Sequence, residues 1–155
     1  MITLLRTNSS NKDFADLVKQ LDSYLKVTDG DEHEFYNQFN SIEHLNHVVL
    51  AYKGKNAVAC GSFKVFKTSK VEIKRMFTIP IERGNGIAAK VLEELENWAF
   101  ELGYKSTVLE TGKRQVEAVE FYKKNNYAII ENYGQYANMD NSICFEKEMK
   151  NDEER

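Results

Sequence analysis

A glycine-rich segment between a strand-like run and a strongly helical one constrains this chain more than any other feature. Residues 71–79 before it favour a strand, and residues 88–102 after it favour a helix. The segment reads Arg83-Gly84-Asn85-Gly86-Ile87-Ala88. Two glycines at such a turn let backbone N–H groups approach an anion closely, and the positive end of the helix dipole adds to the attraction. The pattern predicts a strand–turn–helix unit that binds a phosphate-bearing ligand.

The composition is typical of one globular domain rather than of a nucleic-acid-binding or membrane protein. The 155 residues are 42% hydrophobic and 29% charged, and the formal net charge is −3. No excess of positive charge therefore points to nucleic acid. No apolar run approaches the roughly 20 residues that span a bilayer, and the N-terminus lacks a signal-peptide pattern. We expect a cytoplasmic domain over residues 1–150 and a short charged tail at residues 151–155.

Neither the cysteines nor the histidines suggest a metal site. Cys60 and Cys144 lie far apart in the sequence, and we expect both to be reduced, structural thiols within strands. His33, His44 and His47 lack the spacing of metal ligands. We expect each histidine to have a structural role and predict no metal.

Hydrophobic periodicity predicts an alternation of strands and helices. The predicted strands cover residues 2–6, 47–53, 57–66, 71–79, 106–109, 127–130 and 142–149. The predicted helices cover a segment from Phe14 to about Asp29-Gly30, a short segment with Phe35 and Phe39, residues 88–102 and residues 115–125. In the long helix, the expected inner face consists of Ile87, Val91, Leu95, Trp98 and Leu102.

The order of these elements predicts a particular sheet. Strands 47–53, 57–66 and 71–79 are close enough in sequence to pair as a meander, with possible bulges at Gly61 and at Arg75–Met76. The strands on either side of the long helix should be parallel, joined by a right-handed crossover. We therefore expect an α/β (α+β) fold: a mixed, mostly antiparallel, twisted sheet of about seven strands with helices on both faces and one parallel pair.

Two common phosphate-binding motifs fit this segment poorly. A Walker A loop needs Lys and Ser or Thr after its last glycine, whereas Ile87 and Ala88 stand there. A dinucleotide-binding fingerprint belongs in a first βαβ unit near the N-terminus, and three meander strands precede this segment. Neither an NTPase nor a dinucleotide-binding fold is favoured.

The segment and a second motif resemble the GNAT superfamily of N-acetyltransferases. That family carries Gln/Arg-x-x-Gly-x-Gly/Ala between a strand and a helix, and residues 83–88 match it with Ala in the last place. The second match consists of Leu109-Glu110-Thr111-Gly112, then Gln115, Ala118 and Phe121-Tyr122. The resemblance covers nearly the whole chain and implies the GNAT fold.

The resemblance also implies acetyl-coenzyme A as co-substrate. The backbone of Arg83, Gly84, Asn85, Gly86, Ile87 and Ala88 would then bind its pyrophosphate. Met76 and Thr78 would pair with its extended arm as an added strand does, and the Met76 N–H would donate to the thioester oxygen. Gln115 stands where the family often has an asparagine that contacts the cofactor.

Acyl transfer to an amine needs a proton acceptor and a proton donor. Tyr122 aligns with the family tyrosine that protonates the leaving coenzyme sulfur. Glu72 is the first choice of base, because several family members carry a catalytic glutamate on this strand. Glu110 is the other candidate base, at the end of the neighbouring strand where the two parallel strands should diverge. Glu72 could instead pair with Lys74 or Lys70 at the surface, and Glu110 could cap the following helix or pair with Arg75.

The acceptor site is the least defined part of the sequence. Glu34 and Tyr36, in an acidic stretch, and Tyr136, in a later loop, are candidate contacts for a cationic amine. The acidic stretch could equally be a solvated helix start. The expected activity is N-acetylation of a primary amine of a small molecule or peptide by direct attack in a ternary complex. A regulatory module that binds acyl-coenzyme A without transfer, and transfer of a longer acyl group, are the alternatives. The resemblance also allows a homodimer, and the acceptor's identity stays open.

Overall fold

Seven strands, three α-helices and two short 3-10 turns form the part of the chain that the computed structural model describes, residues 1–29 and 45–149. The strands are β1 Ile2–Thr7, β2 His47–Lys53, β3 Asn56–Lys67, β4 Lys70–Thr78, β5 Ser106–Gly112, β6 Ala128–Ile130 and β7 Ser142–Glu148. The helices are α1 Lys12–Asp29, α2 Ile87–Glu101 and α3 Val116–Lys124, and the 3-10 turns are Pro80–Glu82 and Gly134–Tyr136. The short helix predicted around Phe35 and Phe39, and the tail at residues 151–155, lie outside the described residues.

The strands form one mixed sheet in the order β1-β2-β3-β4-β5-β7-β6. β4 and β5 are parallel neighbours, with α2 between them in sequence, and the other neighbouring strands are antiparallel. The predicted sheet of seven strands with one parallel pair is confirmed.

Helix α1 covers one face of the sheet. It begins after Asn11, whose Oδ1 accepts hydrogen bonds from the backbone N–H groups of Asp13 at 2.8 Å and Phe14 at 3.3 Å. Asn11 is therefore the N-cap of this helix. The helix packs on the central strands through a buried cluster that includes Phe14, Leu17, Val18, Leu21, Val48, Leu50, Cys60 and Phe77.

Helix α2 covers the opposite face, which confirms helices on both sides of the sheet. Its buried side joins a second cluster that includes Ile87, Val91, Leu92, Leu95, Ala99, Val49, Phe63, Val71 and Ile73. The prediction that Leu102 belongs to this inner face is wrong, since its side chain is 51% exposed. Leu102 is the C-cap residue, and Gly103 follows it with a φ of 97°. The helix therefore ends at the position where its inner face would have continued.

A buried polar cluster ties α2 to β5 and β7. The Tyr127 hydroxyl donates to Glu96 Oε2 at 2.8 Å and lies 2.7 Å from Thr107 Oγ1, while Lys147 Nζ donates to Glu96 Oε1 at 3.0 Å. Buried polar groups cost free energy unless they are hydrogen-bonded. The cluster therefore fixes the two strands against the helix.

The cysteines occupy the structural positions expected of them. Cys60 in β3 and Cys144 in β7 are buried, free thiols, and burial raises their pKa to about 12 and about 11. Thiols with such raised pKa values are poor nucleophiles at neutral pH.

His47 is packed among aromatic rings. It stacks on Phe63 with ring centroids 4.6 Å apart and meets the edge of Trp98 at 4.8 Å. Burial lowers its pKa, as expected for a structural histidine. His33 and His44 lie outside the described residues. Of the described helices, none has both the length and the apolar character to cross a membrane.

Candidate active site

The two parallel strands at the centre of the sheet separate after a short stretch of pairing. β4 and β5 pair at Lys70↔Ser106, Val71↔Thr107 and Glu72↔Val108. Beyond these pairs lies an open cleft of about 760 Å³, counting the solvent at its mouth. Its walls come from α1, β4, β5, α3 and the 3-10 turn 134–136, so the cleft connects the two faces of the sheet. The lining residues include Leu21, Leu25, Glu72, Lys74, Arg75, Met76, Glu110, Gln115, Tyr122 and Tyr136.

A β-bulge shapes the β4 wall of this cleft. Ser62 pairs with Lys74 and Cys60 with Phe77, so Gly61 alone faces both Arg75 and Met76. Arg75 has a φ of 59°, a left-handed conformation that costs roughly 1–2 kcal/mol for a residue with a Cβ. The extra residue reverses the faces of the strand. The bulges predicted at Gly61 and at Arg75–Met76 are confirmed as one bulge with these residues on its two sides.

Gly61 is needed here because its neighbours leave no room for a side chain. A Cβ at this position would lie 2.8 Å from Leu95 Cδ1 and would also overlap Met76 Sδ. Those contacts are too close for ordinary packing. Gly61 therefore lets Met76 pack over β3 at the edge of the cleft.

The glycine-rich turn has the backbone conformation of an anion site. Gly84 and Gly86 have φ values of 84° and 76°, and Gly86 is the N-cap of the fifteen-residue helix α2. A Cβ at either glycine would meet nothing within 4 Å. Glycine is therefore needed at these two positions because the backbone is left-handed, and not because the space is crowded. The first N–H groups of α2 have no partner within the helix and add to the positive potential of this end.

The other residues of the motif mainly hold the turn together. Arg83 Nε donates to the carbonyl of Thr78 at 2.9 Å, and its guanidinium lies over the rings of Tyr24 and Phe77 at 5.5 and 5.6 Å. The Arg83 N–H donates to the carbonyl of Pro80 at 3.2 Å. This N–H is thus already engaged, which leaves the backbone of residues 84–88 as the candidate donors.

Asn85 and Ile87 also make contacts within the protein that stabilise the turn. Asn85 Nδ2 donates to the carbonyl of Glu82 at 3.3 Å. The Ile87 side chain is 3% exposed and belongs to the core under α2, whereas Ala88 is half-buried. Any ligand contact of Ile87 is therefore made by its backbone.

Tyr122 lies in α3 and lines the cleft. Its ring packs against Phe121, Tyr127 and Phe145, with centroids 5.1, 5.7 and 5.9 Å away. Burial, followed by the charge of Glu110, raises the pKa of its hydroxyl above the ordinary value. The hydroxyl is therefore protonated at neutral pH and can serve as a proton donor.

Glu72 is buried in a network of partners on the α1 side of the sheet. Its side chain is 3% exposed, and its Oε2 accepts a hydrogen bond from Tyr133 at 2.6 Å. Its Oε1 lies 3.9 Å from Lys74 Nζ and 4.0 Å from Lys64 Nζ. The expected pairing of Glu72 with Lys74 exists, but it is buried rather than at the surface. Lys70 pairs with Glu146 at 2.7 Å instead.

Glu110 stands two residues beyond the last β4–β5 pair, where the cleft opens. It is half-buried. Its charge raises the pKa of Tyr122 and of Tyr136, in each case after the larger effect of burial. Glu110, Tyr122 and Tyr136 all line the same cleft.

The remaining predicted residues fall in three places. Met76, Gln115 and Tyr136 line the cleft, with Gln115 at the N-cap of α3 and Tyr136 at the end of a 3-10 turn. Thr78 is buried and does not line the cleft, although its carbonyl anchors Arg83. Glu34 and Tyr36 lie outside the described residues.

Sequence reasoning did not assign Lys74 or Arg75 to the site, and it did not pair Tyr133 with Glu72. Alternation along β4 places Lys74 on the same side as Glu72, a signal that was available. The Tyr133–Glu72 hydrogen bond joins residues 61 positions apart, and no local pattern indicates it. Within residues 1–29 and 45–149, no three His, Cys, Asp or Glu side chains converge as a metal site requires.

Known proteins match this chain over most of its length. The profile of the family described as "Acetyltransferase (GNAT) family" matches residues 14–127. An IAA acetyltransferase of Azospirillum brasilense is 26% identical over 148 residues, which cover 94% of this chain and 97% of that protein.

Solved structures share the fold at lower identity. A candidate acyl-CoA N-acyltransferase of Klebsiella pneumoniae superposes with a TM-score of 0.80 at 23% identity, over 96% of this chain and 97% of that one. A GNAT family acetyltransferase of Elizabethkingia anophelis with acetyl-CoA bound superposes with a TM-score of 0.70 at 18% identity, over 96% and 98%.

Proposed function

This chain belongs to the GNAT family of acetyltransferases, and from that premise we propose that it transfers the acetyl group of acetyl-coenzyme A to a primary amine by direct attack in a ternary complex. The observation that carries the proposal is the cleft between the splayed strands. It brings Met76, Glu110 and Tyr122 to one space, the three groups that the chemistry requires.

The described residues fit acetyl-coenzyme A as co-substrate. The left-handed glycines Gly84 and Gly86, open on their outer side, let the backbone of residues 84–88 approach a pyrophosphate at the positive end of α2. The cleft beside Met76 is open to an extended arm along β4. The Elizabethkingia relative, which has the same fold, holds acetyl-CoA.

Each catalytic requirement has a residue in this proposal. A neutral amine is needed for attack, because an aliphatic ammonium with a pKa near 10.4 has no lone pair to donate. Glu110 accepts the amine proton. The backbone N–H of Met76 donates to the thioester oxygen as negative charge develops there. As the new C–N bond forms and the C–S bond breaks, Tyr122 gives its proton to the departing thiolate.

Two observations favour Glu110 over Glu72 as the base. Glu72 is 3% exposed and its two oxygens already face Tyr133, Lys74 and Lys64. Glu110 lies past the last β4–β5 pair and acts electrostatically on Tyr122. We therefore assign Glu72 to positioning, where it holds Tyr133 and Lys74 at the cleft wall.

The proposal is tested by coenzyme release from acetyl-coenzyme A with a panel of amines. The panel contains polyamines, amino acids, aminoglycosides and lysine peptides, and propionyl-coenzyme A is run in parallel. Release that depends on one class of amine, with a matching acetylated product in the mass spectrum, supports the transferase. Tight coenzyme binding without any acylated product would support a regulatory module instead, and a preference for the propionyl donor would point to a longer acyl group.

The glycine-rich turn gives a prediction for coenzyme binding. Gly86→Ala places a Cβ on a residue with a φ of 76°, at a cost of roughly 1–2 kcal/mol. We expect the turn to relax and the Kd for coenzyme A to rise by roughly 10-fold, as measured by isothermal titration calorimetry.

Gly54→Ala is the matched control. Gly54 has a φ of 63° in the β2–β3 turn, and a Cβ there also meets nothing within 4 Å. Both variants should lose similar thermal stability, and only Gly86→Ala should lose coenzyme affinity. Equal coenzyme affinity in the two variants would show that the turn does not bind the pyrophosphate.

A further inference from the structure

The guanidinium of Arg75 is buried in the cleft wall, and its Nε is a buried donor without an acceptor among the described residues. The Arg75 side chain is 5% exposed, and its Nη1 donates to Asp22 Oδ1 at 2.6 Å. Its Nε is buried and makes no hydrogen bond to any residue in 1–29 or 45–149. A buried, charged donor without an acceptor is costly. The buried Nε of Arg75 therefore calls for an explanation beyond the ion pair with Asp22.

The backbone at Arg75 adds to this cost. Its left-handed φ of 59° would suit glycine or asparagine better. Strained residues of this kind concentrate at functional sites. Neither the bulge nor the ion pair with Asp22 needs the buried Nε, so the fold alone does not account for it.

Arg75 shares the cleft with the proposed base. Arg75 and Glu110 both lie beyond the last β4–β5 pair, and both line the cleft that opens there. The Arg75 side chain reaches α1, two of whose residues, Leu21 and Leu25, line the same cleft. A small molecule in the cleft can therefore contact both Glu110 and the α1 wall.

The geometry of the Arg75 donors indicates which chemical group of a ligand would bind there. In a guanidinium, Nε and Nη2 form a parallel pair of donors that matches the two oxygens of a carboxylate. Asp22 takes Nη1, outside that pair. Asp22 is 38% exposed at its side chain, so solvent screens part of its charge and it compensates the buried guanidinium only in part. A ligand carboxylate would supply the hydrogen-bond acceptor for Nε.

We propose that Arg75 is a carboxylate-binding subsite and that the acceptor is an amine that also carries a carboxylate, of the amino-acid class. This inference rests on the proposed transferase function. Glu110 takes the proton of the acceptor amine, the C–N bond forms as the C–S bond breaks, and Tyr122 protonates the thiolate. The acceptor carboxylate remains unchanged on Arg75 and directs the amine toward Glu110.

The first test compares acceptors that differ only in the carboxylate. Leucine and leucinamide, glycine and glycinamide, and the longer β-alanine and its amide are assayed for kcat/KM. We expect each favoured acid to exceed its amide by at least 10-fold, although the amine of an amide loses its proton more easily. Arg75→Met should abolish this preference, whereas Asp22→Asn should keep it, because Asp22 does not contact Nε.

The matched variants separate a ligand role from a structural one. If Arg75 served only to hold α1 through Asp22, Asp22→Asn would remove the acid preference as fully as Arg75→Met does. That result would overturn the subsite. Arg75→Lys keeps the positive charge without the paired donors and serves where Arg75→Met does not fold. Arg75→Lys should also lose most of the preference for the acid over its amide.

The second test needs no turnover. N-acetylleucine and N-acetylleucinamide are added to the wild-type protein with coenzyme A, and the melting temperature is measured. Stabilisation by the acid alone, lost in Arg75→Lys, supports the subsite even if transfer fails in the assay. Equal stabilisation by acid and amide, or amides acetylated as well as acids, overturns the subsite while the transferase function stands. No transfer to any amine, with normal coenzyme binding, overturns the transferase function, and the subsite is then decided by the melting data.

Discussion

Tyr122→Phe should lower kcat by at least about 10-fold, within the roughly 10²–10⁴-fold range typical of general acids. The variant keeps the ring, which packs against Phe121, Tyr127 and Phe145, and removes only the hydroxyl that protonates the thiolate. The KM for acetyl-coenzyme A should therefore change little. Steady-state kinetics of coenzyme release measure both constants.

Tyr127→Phe is the matched control for this prediction. Tyr127 is a second buried tyrosine in the same core, but its hydroxyl serves Glu96 and Thr107 rather than the cleft. Its removal should cost stability, about 1–3 kcal/mol for the partners left unsatisfied, with kcat nearly unchanged. A Tyr122→Phe enzyme with full kcat, or a Tyr127→Phe enzyme with an equal loss of kcat, would remove Tyr122 from the mechanism.

The pKa of Tyr122 adds a pH criterion. Because burial and the charge of Glu110 raise this pKa above its usual value near 10, the phenol remains protonated throughout the neutral and mildly alkaline range. Loss of the Tyr122 proton should therefore not reduce the kcat of the wild-type enzyme between pH 7 and pH 10. A fall of kcat in that interval that disappears in Tyr122→Phe would contradict the raised pKa of Tyr122, although it would support Tyr122 as the proton donor.

Glu110→Gln is expected to lower kcat/KM by roughly 100-fold at pH 7, in line with typical general-base contributions. Without the carboxylate, only the small fraction of amine that is already neutral can attack. The activity of the variant should therefore rise about 10-fold per pH unit toward the pKa of the amine. Wild-type and variant pH profiles of kcat/KM measure this difference.

Glu72→Gln provides the comparison, since it makes the same change of charge on the neighbouring strand. Its carboxylate holds Tyr133 and lies near Lys74, so we expect a loss of thermal stability and a fall in kcat/KM of less than 10-fold. The reverse order of the two effects, with Glu72→Gln nearly inactive and steeply pH-dependent, would make Glu72 the base and Glu110 the positioning residue.

The fold could be predicted from sequence because its signals are local. Pro80 ends a strand, Gly103 ends a helix, and the apolar periods of the segments between them distinguish strands from helices. Even the bulge had a local signal, in the glycine at position 61 and the broken alternation at Arg75. The error at Leu102 arose because periodicity does not report where a helix stops.

The candidate site was only partly predictable, because its side chains meet through long-range contacts. Tyr133 reaches Glu72 across 61 positions, and Arg75 reaches Asp22 across 53. Lys74 looked like a surface residue because lysine usually is one, yet β4 is central in a sheet covered on both faces. Which carboxylate acts as the base depends on such neighbours, and the sequence alone does not show the neighbours of Glu72 and Glu110.

The short pairing of β4 with β5 has a mechanical consequence. Three residue pairs join the two halves of the sheet, four strands on one side and three on the other. The centre of the sheet is thus joined by as few residue pairs as its β6 edge. A ligand whose extended arm lies along β4 would bridge the β4–β5 junction and couple the two halves of the sheet. Occupation by the coenzyme would then set the width of the cleft that the acceptor meets, which favours an ordered sequence of binding.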